Sequence, residues 1–481
     1  MFKHIIRYDW LLLRSTRTFA LSVALLALFT AFALWNGARH AHFQRTTLAA
    51  IDSTERAAYA ALQSAVRDIE QGKPYKGNEF QNPQLPYPIG GNKGARFATL
   101  PPAPLALVSF GQSDLLPYYY RVTMTKQQSL YHAEEIANAA TLYNGNFDVA
   151  FVVVYLLPLI IIALSYNIVS AEREQGTLAM LLTSDIRFGR LVLSKFLFRF
   201  VVVSFVFAVV LLAGIGFAGV NLLQASSELA LMLLVVVLYA AFWFALSFAV
   251  NSFGRNSGVN AALLLGVWLL LVLIIPSILT ITATTLHPAP SRVELITQTR
   301  EASDAAKKRT AQLLSKFYED HPELLPKGKE INPKDFATAS LSAQMEVDKS
   351  LKPLQDRFSA QTEAQQSLIG SYRFLSPSVF VQQTLNDIAG TGYRRYADFT
   401  AQTYSFYQRF QQFFVGKVFR QERMTSADFE LIPAFRYAQT ASTLLIAPNV
   451  LNMALLLILT VAFVSLGLTK TARMQLVEAF A

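Results

Sequence analysis

The sequence predicts an α-helical integral membrane protein with six transmembrane helices and two large polar insertions. Hydrophobic residues fill 53% of the 481 positions and charged residues only 15%, a balance that a large soluble enzyme does not carry. One helical crossing of a bilayer takes about 20 apolar residues. Runs of that kind lie at 19–35, 148–169, 196–220, 229–250, 261–281 and 450–468. Two polar stretches, 36–147 and 284–441, stand between them, each long enough to fold as a domain. No cysteine occurs, which excludes disulfides and thiolate metal sites.

In chain order, residues 1–18 predict an amphipathic elbow helix on the membrane surface. Phe2, Ile5, Ile6, Trp10 and Leu13 share one helical face, while Lys3, His4, Arg7 and Arg14 mostly point elsewhere. Beyond the first span, Ala38–Ile69 contains neither Pro nor Gly and continues as helix until Gly72-Lys73-Pro74. Breakers such as Pro83, Pro86, Gly90, Gly91 and Pro101 then predict an irregular cap, with short strands near Leu105–Phe110 and Tyr118–Thr123. A second helix from about Ser129 to Gly145 makes the first insertion mixed α/β. The second insertion reads as mainly α-helical, with helices at 291–318, 334–371, 378–388 and 393–420. Phe406, Phe410, Phe413 and Phe414 recur at helical spacing on the last of these, a stripe that reads as core packing.

Lysine and arginine in the short segments beside the spans set the orientation. Lys3, Arg7, Arg14 and Arg17 precede the first span, Arg173, Arg187, Arg190 and Lys195 fall between the second and third, Arg255 between the fourth and fifth, and Lys470 and Arg473 after the sixth. All share one side if the spans alternate. The connection Leu222–Glu228 has no Lys or Arg. Both termini, the segment 170–195 and the tail 469–481 are therefore expected in the cytoplasm, with both insertions outside. The net charge of +10 then follows from topology and anionic lipid, with no nucleic-acid partner required. Asp148 and Arg199, at the edges of the second and third spans, read as interface anchors.

The segment after the second span carries the densest chemical signal. Ser170 can open a helix, and Glu172 and Glu174 then fall in its first turn, where the helix dipole favours acids. Gly176 marks a sharp turn or a close backbone approach. Leu178, Leu181 and Leu182 form a short apolar face of the kind that docks in a partner's groove. A solvated loop whose charges merely enforce topology is the alternative.

Ala171-Glu172-Arg173-Glu174-Gln175-Gly176-Thr177-Leu178, with Leu181-Leu182-Thr183 and Lys195, resembles the coupling region of ABC-2 type ABC transporter permeases. There an acidic-basic-acidic triplet precedes Gly-Thr-Leu between the second and third spans. The chain departs from that pattern at Ala179, Ser184 and Ser194. Leu100-Pro101-Pro102, Phe110-Gly111-Gln112-Ser113-Asp114, Phe374-Leu375-Ser376-Pro377 and Gly390-Thr391-Gly392 extend the resemblance to the subfamily with large extracytoplasmic, periplasmic domains of unknown function.

The resemblance implies a six-helix fold of the ABC-2, or type V exporter, kind in a bacterial inner membrane. It implies a permease subunit, an exporter half, that couples ATP hydrolysis by a separate ATPase subunit to substrate movement. Glu172, Arg173, Glu174, Gly176, Thr177, Leu178, Leu181, Leu182 and Lys195 would form the ATPase-coupling site. A second permease, identical or homologous, would complete a dimer in contact with membrane lipids, and a periplasmic protein is a further candidate partner. No cofactor is expected on this chain, since ATP and Mg2+ would sit on the ATPase: the sequence has no Gly-x-x-x-x-Gly-Lys-Ser/Thr loop, and Gly90-Gly91-Asn92-Lys93-Gly94 has the wrong spacing. No Gly-x-Ser-x-Gly elbow or histidine cluster points to an enzyme. Tyr155, Tyr166, Asn167, Asn260 and Trp268 are candidates for lining a pathway. The alternative function is a non-transporting subunit that transmits cytoplasmic ATP hydrolysis mechanically to a periplasmic partner.

Overall fold

The computed structural model describes residues 17–111, 113, 116–125, 147–178, 188–326, 335–439 and 447–479. The surface helix expected before residue 17 and the helix expected at 129–145 lie outside them. Six of the described helices are long and apolar enough to cross a membrane. Their composition and burial make this a multi-pass membrane protein.

The first helix, α1 (Arg17–Glu70), is continuous over 54 residues, about 80 Å at 1.5 Å per residue. It therefore crosses a bilayer core of about 30 Å and projects far beyond it. It stops where Gly72 takes φ of +86°. The Gly72 N–H donates to Ile69 O at 2.9 Å and the Lys73 N–H to Asp68 O at 3.0 Å, a Schellman ending that satisfies the last carbonyls. Glu55 ties the projecting part to a small sheet by pairing with Arg96 at 2.7 Å and accepting the Phe97 N–H at 2.9 Å. That sheet is β1 (Arg96–Thr99) antiparallel to β2 (Tyr119–Val122), with Arg96 opposite Val122.

The strand expected at Leu105–Phe110 is instead a buried pair of turns. Its backbone has another use: the Val108 carbonyl accepts the N–H groups of Val149 and Ala150 at 3.1 and 3.3 Å. These belong to the first turn of α2 (149–165), where helix donors have no intrahelical partner. Gly37 lets α1 lie against the same plug, because a Cβ there would meet Leu107 O at 1.8 Å.

The second span is interrupted where Pro158 follows a π-helical turn, Val152–Leu156. Proline has no N–H to give the carbonyl four residues earlier. That carbonyl, Val154 O, accepts the Tyr239 hydroxyl at 3.1 Å. After α2 come α3 (Ser170–Glu174), α4 (Phe188–Phe217), α5 (Ser226–Asn251) and α6 (257–286). The described helix of the third span, from Phe188, includes Lys195.

The second polar stretch forms α7 (Arg292–Lys308), α8 (Thr310–Asp320), α9 (Phe336–Tyr372), α10 (Pro377–Ala389) and α11 (Tyr393–Phe419), and α12 (Ala447–Ala479) is the last span. Phe406, Phe410 and Phe414 of α11 are fully buried and join Tyr59 and Val66 of α1 in a second core, apart from that of the spans. The stripe packs, as its spacing predicts. Helix α10 behaves differently: Phe380, Val381, Leu385 and Ile388 are buried in the same cluster as the spans. Part of the second polar stretch therefore returns into the apolar core. It returns to a second interrupted helix, for α6 has a π-helical turn at Leu269–Ile274 just before Pro276. The hydroxyls of Ser376 and Ser378 reach Leu271 O in that turn, at 2.5 and 3.0 Å.

Removing both hydroxyls strands a carbonyl in an apolar environment, which costs about 1–3 kcal/mol. The double variant Ser376→Ala/Ser378→Ala should lower the thermal transition of the detergent-solubilised protein. Each single variant should cost much less, because the remaining hydroxyl still reaches Leu271 O.

Candidate functional site

The charged segment is built on the end of α2. The last carbonyls of a helix have no intrahelical donors, and here three other spans supply them. The Arg199 guanidinium of α4 donates to Leu164 O. Asn251 of α5 donates from Nδ2 to Ser165 O at 3.0 Å, and Asn260 of α6 from Nδ2 to Tyr166 O at 3.3 Å. A guanidinium at a helix C-terminus is also favoured by the helix dipole. Arg199, expected to anchor at the interface, is buried at this helix end instead. The chain turns at 166–169, with the Val169 N–H on Asn251 Oδ1 at 3.4 Å, and enters α3.

Each member of the Glu172-Arg173-Glu174 triplet is bonded to a different part of the membrane bundle. Glu172 Oε1 accepts Lys195 Nζ of α4 at 2.8 Å, with the lysine side chain 9% and the glutamate side chain 22% exposed. Arg173 donates from Nη1 to Gly254 O in the turn joining α5 to α6. Glu174 receives both the N–H of Ser257 at 2.8 Å and its hydroxyl at 2.9 Å, on the first residue of α6. An acid at that position satisfies a free helix donor and meets the positive end of the dipole. Asn256 caps the same helix by accepting the Val259 N–H at 2.8 Å. Ser170 and Ser257 complete the contact through their hydroxyls, 2.8 Å apart.

Gly176 ends this short helix at φ of +77°. Its N–H donates to Arg173 O at 3.0 Å and that of Thr177 to Glu172 O at 2.9 Å, again a Schellman pair. A Cβ on Gly176 would meet nothing within 4 Å. Of the two roles its sequence context left open, the sharp turn is the one adopted. The Thr177 hydroxyl folds back onto the Glu172 carboxylate.

Leu178, expected on an exposed docking face, is 4% exposed and joins the apolar cluster of the spans. Leu181 and Leu182 lie outside the described residues. Arg173, Glu174, Gln175, Gly176 and Thr177 keep exposed surface, so the segment is latched to the spans on one side and open on the other.

The five pathway candidates do not form one group. Asn260 meets Tyr166, but through the tyrosine's carbonyl. Tyr155 stacks on Phe151 with ring centroids 5.0 Å apart, near the opposite end of α2. Trp268 packs against the span cluster, and the Asn167 carbonyl accepts the Ala171 N–H at 2.9 Å. A cavity among the described residues, between the two insertions, is lined by Gln44, Pro102, Thr391 and Arg395 among others, and by none of the five. Sequence reasoning missed Asn251, Asn256 and Ser257. Their signal was the run of polar residues bounding two otherwise apolar spans at one end.

Residues 292–438 match a sequence family described as "Domain of unknown function (DUF3526)". Over 129 residues the chain is 30% identical to a protein of Pseudomonas aeruginosa described as "Probable ABC transporter permease protein NosY". That alignment covers 25% of this chain and 46% of the relative, so the chain spans about half the length of the curated relative it matches. It is a distant similarity to an ABC transporter permease.

The Glu172–Lys195 pair is mostly shielded from water, so its members should be strongly coupled. A double-mutant cycle with Glu172→Gln and Lys195→Met, read by thermal or denaturant unfolding in micelles, should give an interaction energy of about 1–3 kcal/mol. Gly176→Ala should cost about 1–2 kcal/mol through backbone strain alone, since the space is open.

Proposed function

We propose that this chain is the permease subunit of an ABC transporter of the ABC-2 kind, an exporter half in a bacterial inner membrane, driven by a separate ATPase. In this reading the segment after the second span faces the cytoplasm and the insertions face the periplasm. The ATPase holds ATP and Mg2+, and a second permease completes the membrane dimer. The observation that carries the reading is the triple latch of Glu172, Arg173 and Glu174 onto α4, the α5–α6 turn and the start of α6. Force applied at the exposed side of this segment reaches α4, the α5–α6 turn and α6 at once. A loop that merely enforced topology would need no such bonds.

The latch divides the coupling residues into two roles. Glu172, Arg173, Glu174 and Lys195 transmit, because each is bonded within the bundle or to the turn between its spans. Leu181 and Leu182, with the exposed Gln175–Thr177 turn, receive the ATPase. The mechanical alternative, transmission to a periplasmic partner without passage of substrate, has one observation in its favour. Helix α1 runs unbroken from the membrane to Glu70, so a tilt of the first span moves the whole outer cap.

The two roles separate in one experiment. Purified with its ATPase in nanodiscs, the wild-type complex should show an ATP-dependent distance change between spin labels on α4 and α6. Glu174→Ala should keep the ATPase bound while abolishing that change. Leu181→Ala/Leu182→Ala should lose the ATPase itself. If pull-downs from native membranes recover no ATPase, the assignment fails.

A further inference from the structure

Between the two insertions lies a buried polar group that the coupling reading does not use. Asp348 on α9 is 8% exposed. Its Oδ2 accepts the Tyr407 hydroxyl of α11 at 2.9 Å, and its Oδ1 accepts Gln344 Nε2 at 2.9 Å. The Tyr407 hydroxyl has a second acceptor within reach, Met124 O of the first insertion, at 3.4 Å. Gln411 Nε2 donates to that carbonyl at 3.1 Å and to the Tyr407 oxygen at 2.7 Å. Met124 is held to its own insertion, its N–H donating to Gly90 O at 2.8 Å.

The tyrosine therefore has one proton and two acceptors, one in each insertion. When Asp348 is ionised the proton belongs on the carboxylate, the stronger acceptor. When Asp348 takes up a proton from water it becomes a donor to the Tyr407 oxygen. The tyrosine proton must then turn to Met124 O. Protonation thus adds a bond between α11 and the first insertion.

We propose that Asp348 and Tyr407 form a proton-operated latch that joins the second insertion to the first on the acid side and loosens it on the alkaline side. The groups facing Asp348 are Gln344 from its own helix and Tyr407 and Gln411 from α11, with Tyr404 beyond Tyr407. Among the described residues, neither α7 nor α8, the other helices packed on α9, nor α6 brings a Lys, Arg or His to it. Burial without a cation pushes the carboxyl up to about 6. Because this native value lies above that of the unfolded chain, the proton's contribution is fully present below about pH 4 and is lost as pH rises through 6.

Hydrogen exchange on the full-length protein in nanodiscs tests the latch. After correction for intrinsic rates, the amides of 118–125 should exchange roughly fivefold more slowly at about pH 5 than at about pH 7.5, the factor that one net hydrogen bond contributes. Asp348→Asn should stay protected at both pH values, and Tyr407→Phe should abolish the pH dependence of this segment while keeping the ring in place. Equal wild-type protection at the two pH values would overturn the latch. So would a wild-type profile in Asp348→Asn, or, should that variant not fold, in Tyr407→Phe.

Discussion

The fold depends on how the second span ends. Carbonyls at a helix end buried inside a bundle cannot be left to water and must find protein donors. In α2 the carbonyls of Leu164, Ser165 and Tyr166 are taken by Arg199, Asn251 and Asn260, one from each of three other spans. The opposite end is treated with the opposite sign. Asp148 accepts the Phe151 N–H at 2.7 Å and the Phe110 N–H at 2.8 Å. A short apolar helix is thereby given an acid at its positive end and a base at its negative end. Every bond involved also fixes a neighbour, so α2 is the post against which α4, α5, α6 and the first insertion are aligned.

The same need for satisfied carbonyls explains how the second insertion attaches. Pro158 and Pro276 each interrupt a span after a π-helical turn, and each releases acceptors that must find donors. In α2 the donor is Tyr239, from within the bundle. In α6 the donors are Ser376 and Ser378, which belong to the polar insertion and enter the core at the head of α10. Pro377, between the two serines, sits where its missing N–H costs nothing, at the first position of a helix. Ser376 also caps that helix, its hydroxyl accepting the Val379 N–H at 3.4 Å.

What the sequence disclosed followed from periodicity and breakers. Six apolar runs, the unbroken Ala38–Ile69 segment ending at Gly72, and the aromatic stripe of α11 were all legible because each depends on residues near in sequence. The strand read into Leu105–Phe110 was not, because the segment's apolar character serves burial. Its backbone acceptors are used by α2, some 40 residues away. The candidate site shows the same divide. The turn at Gly176 is local, and its glycine announces it. The destinations of Glu172, Arg173 and Glu174 are long-range, so an acidic-basic-acidic run facing solvent and one clamped to α4, the α5–α6 turn and α6 look alike on paper. Leu178 misled for the same reason: its spacing with Leu181 marks a face but does not say what covers it.

Bonding inward changes what the charged triplet can contribute to the proposed coupling. A flexible handle dissipates a push in its own side-chain rotations, and exposed ion pairs add little stiffness because water and salt screen them. The Glu172–Lys195 pair is largely withdrawn from water, and Glu174 grips two donors on one helix start. Displacing α3 without moving α4 and α6 would then break several charge-assisted bonds together, while moving all three as a body breaks none. Rigid-body motion is the cheaper response. Under the proposed function, this end of the bundle would move with the ATPase that holds the segment, and the continuous α1 would carry that motion to the insertions.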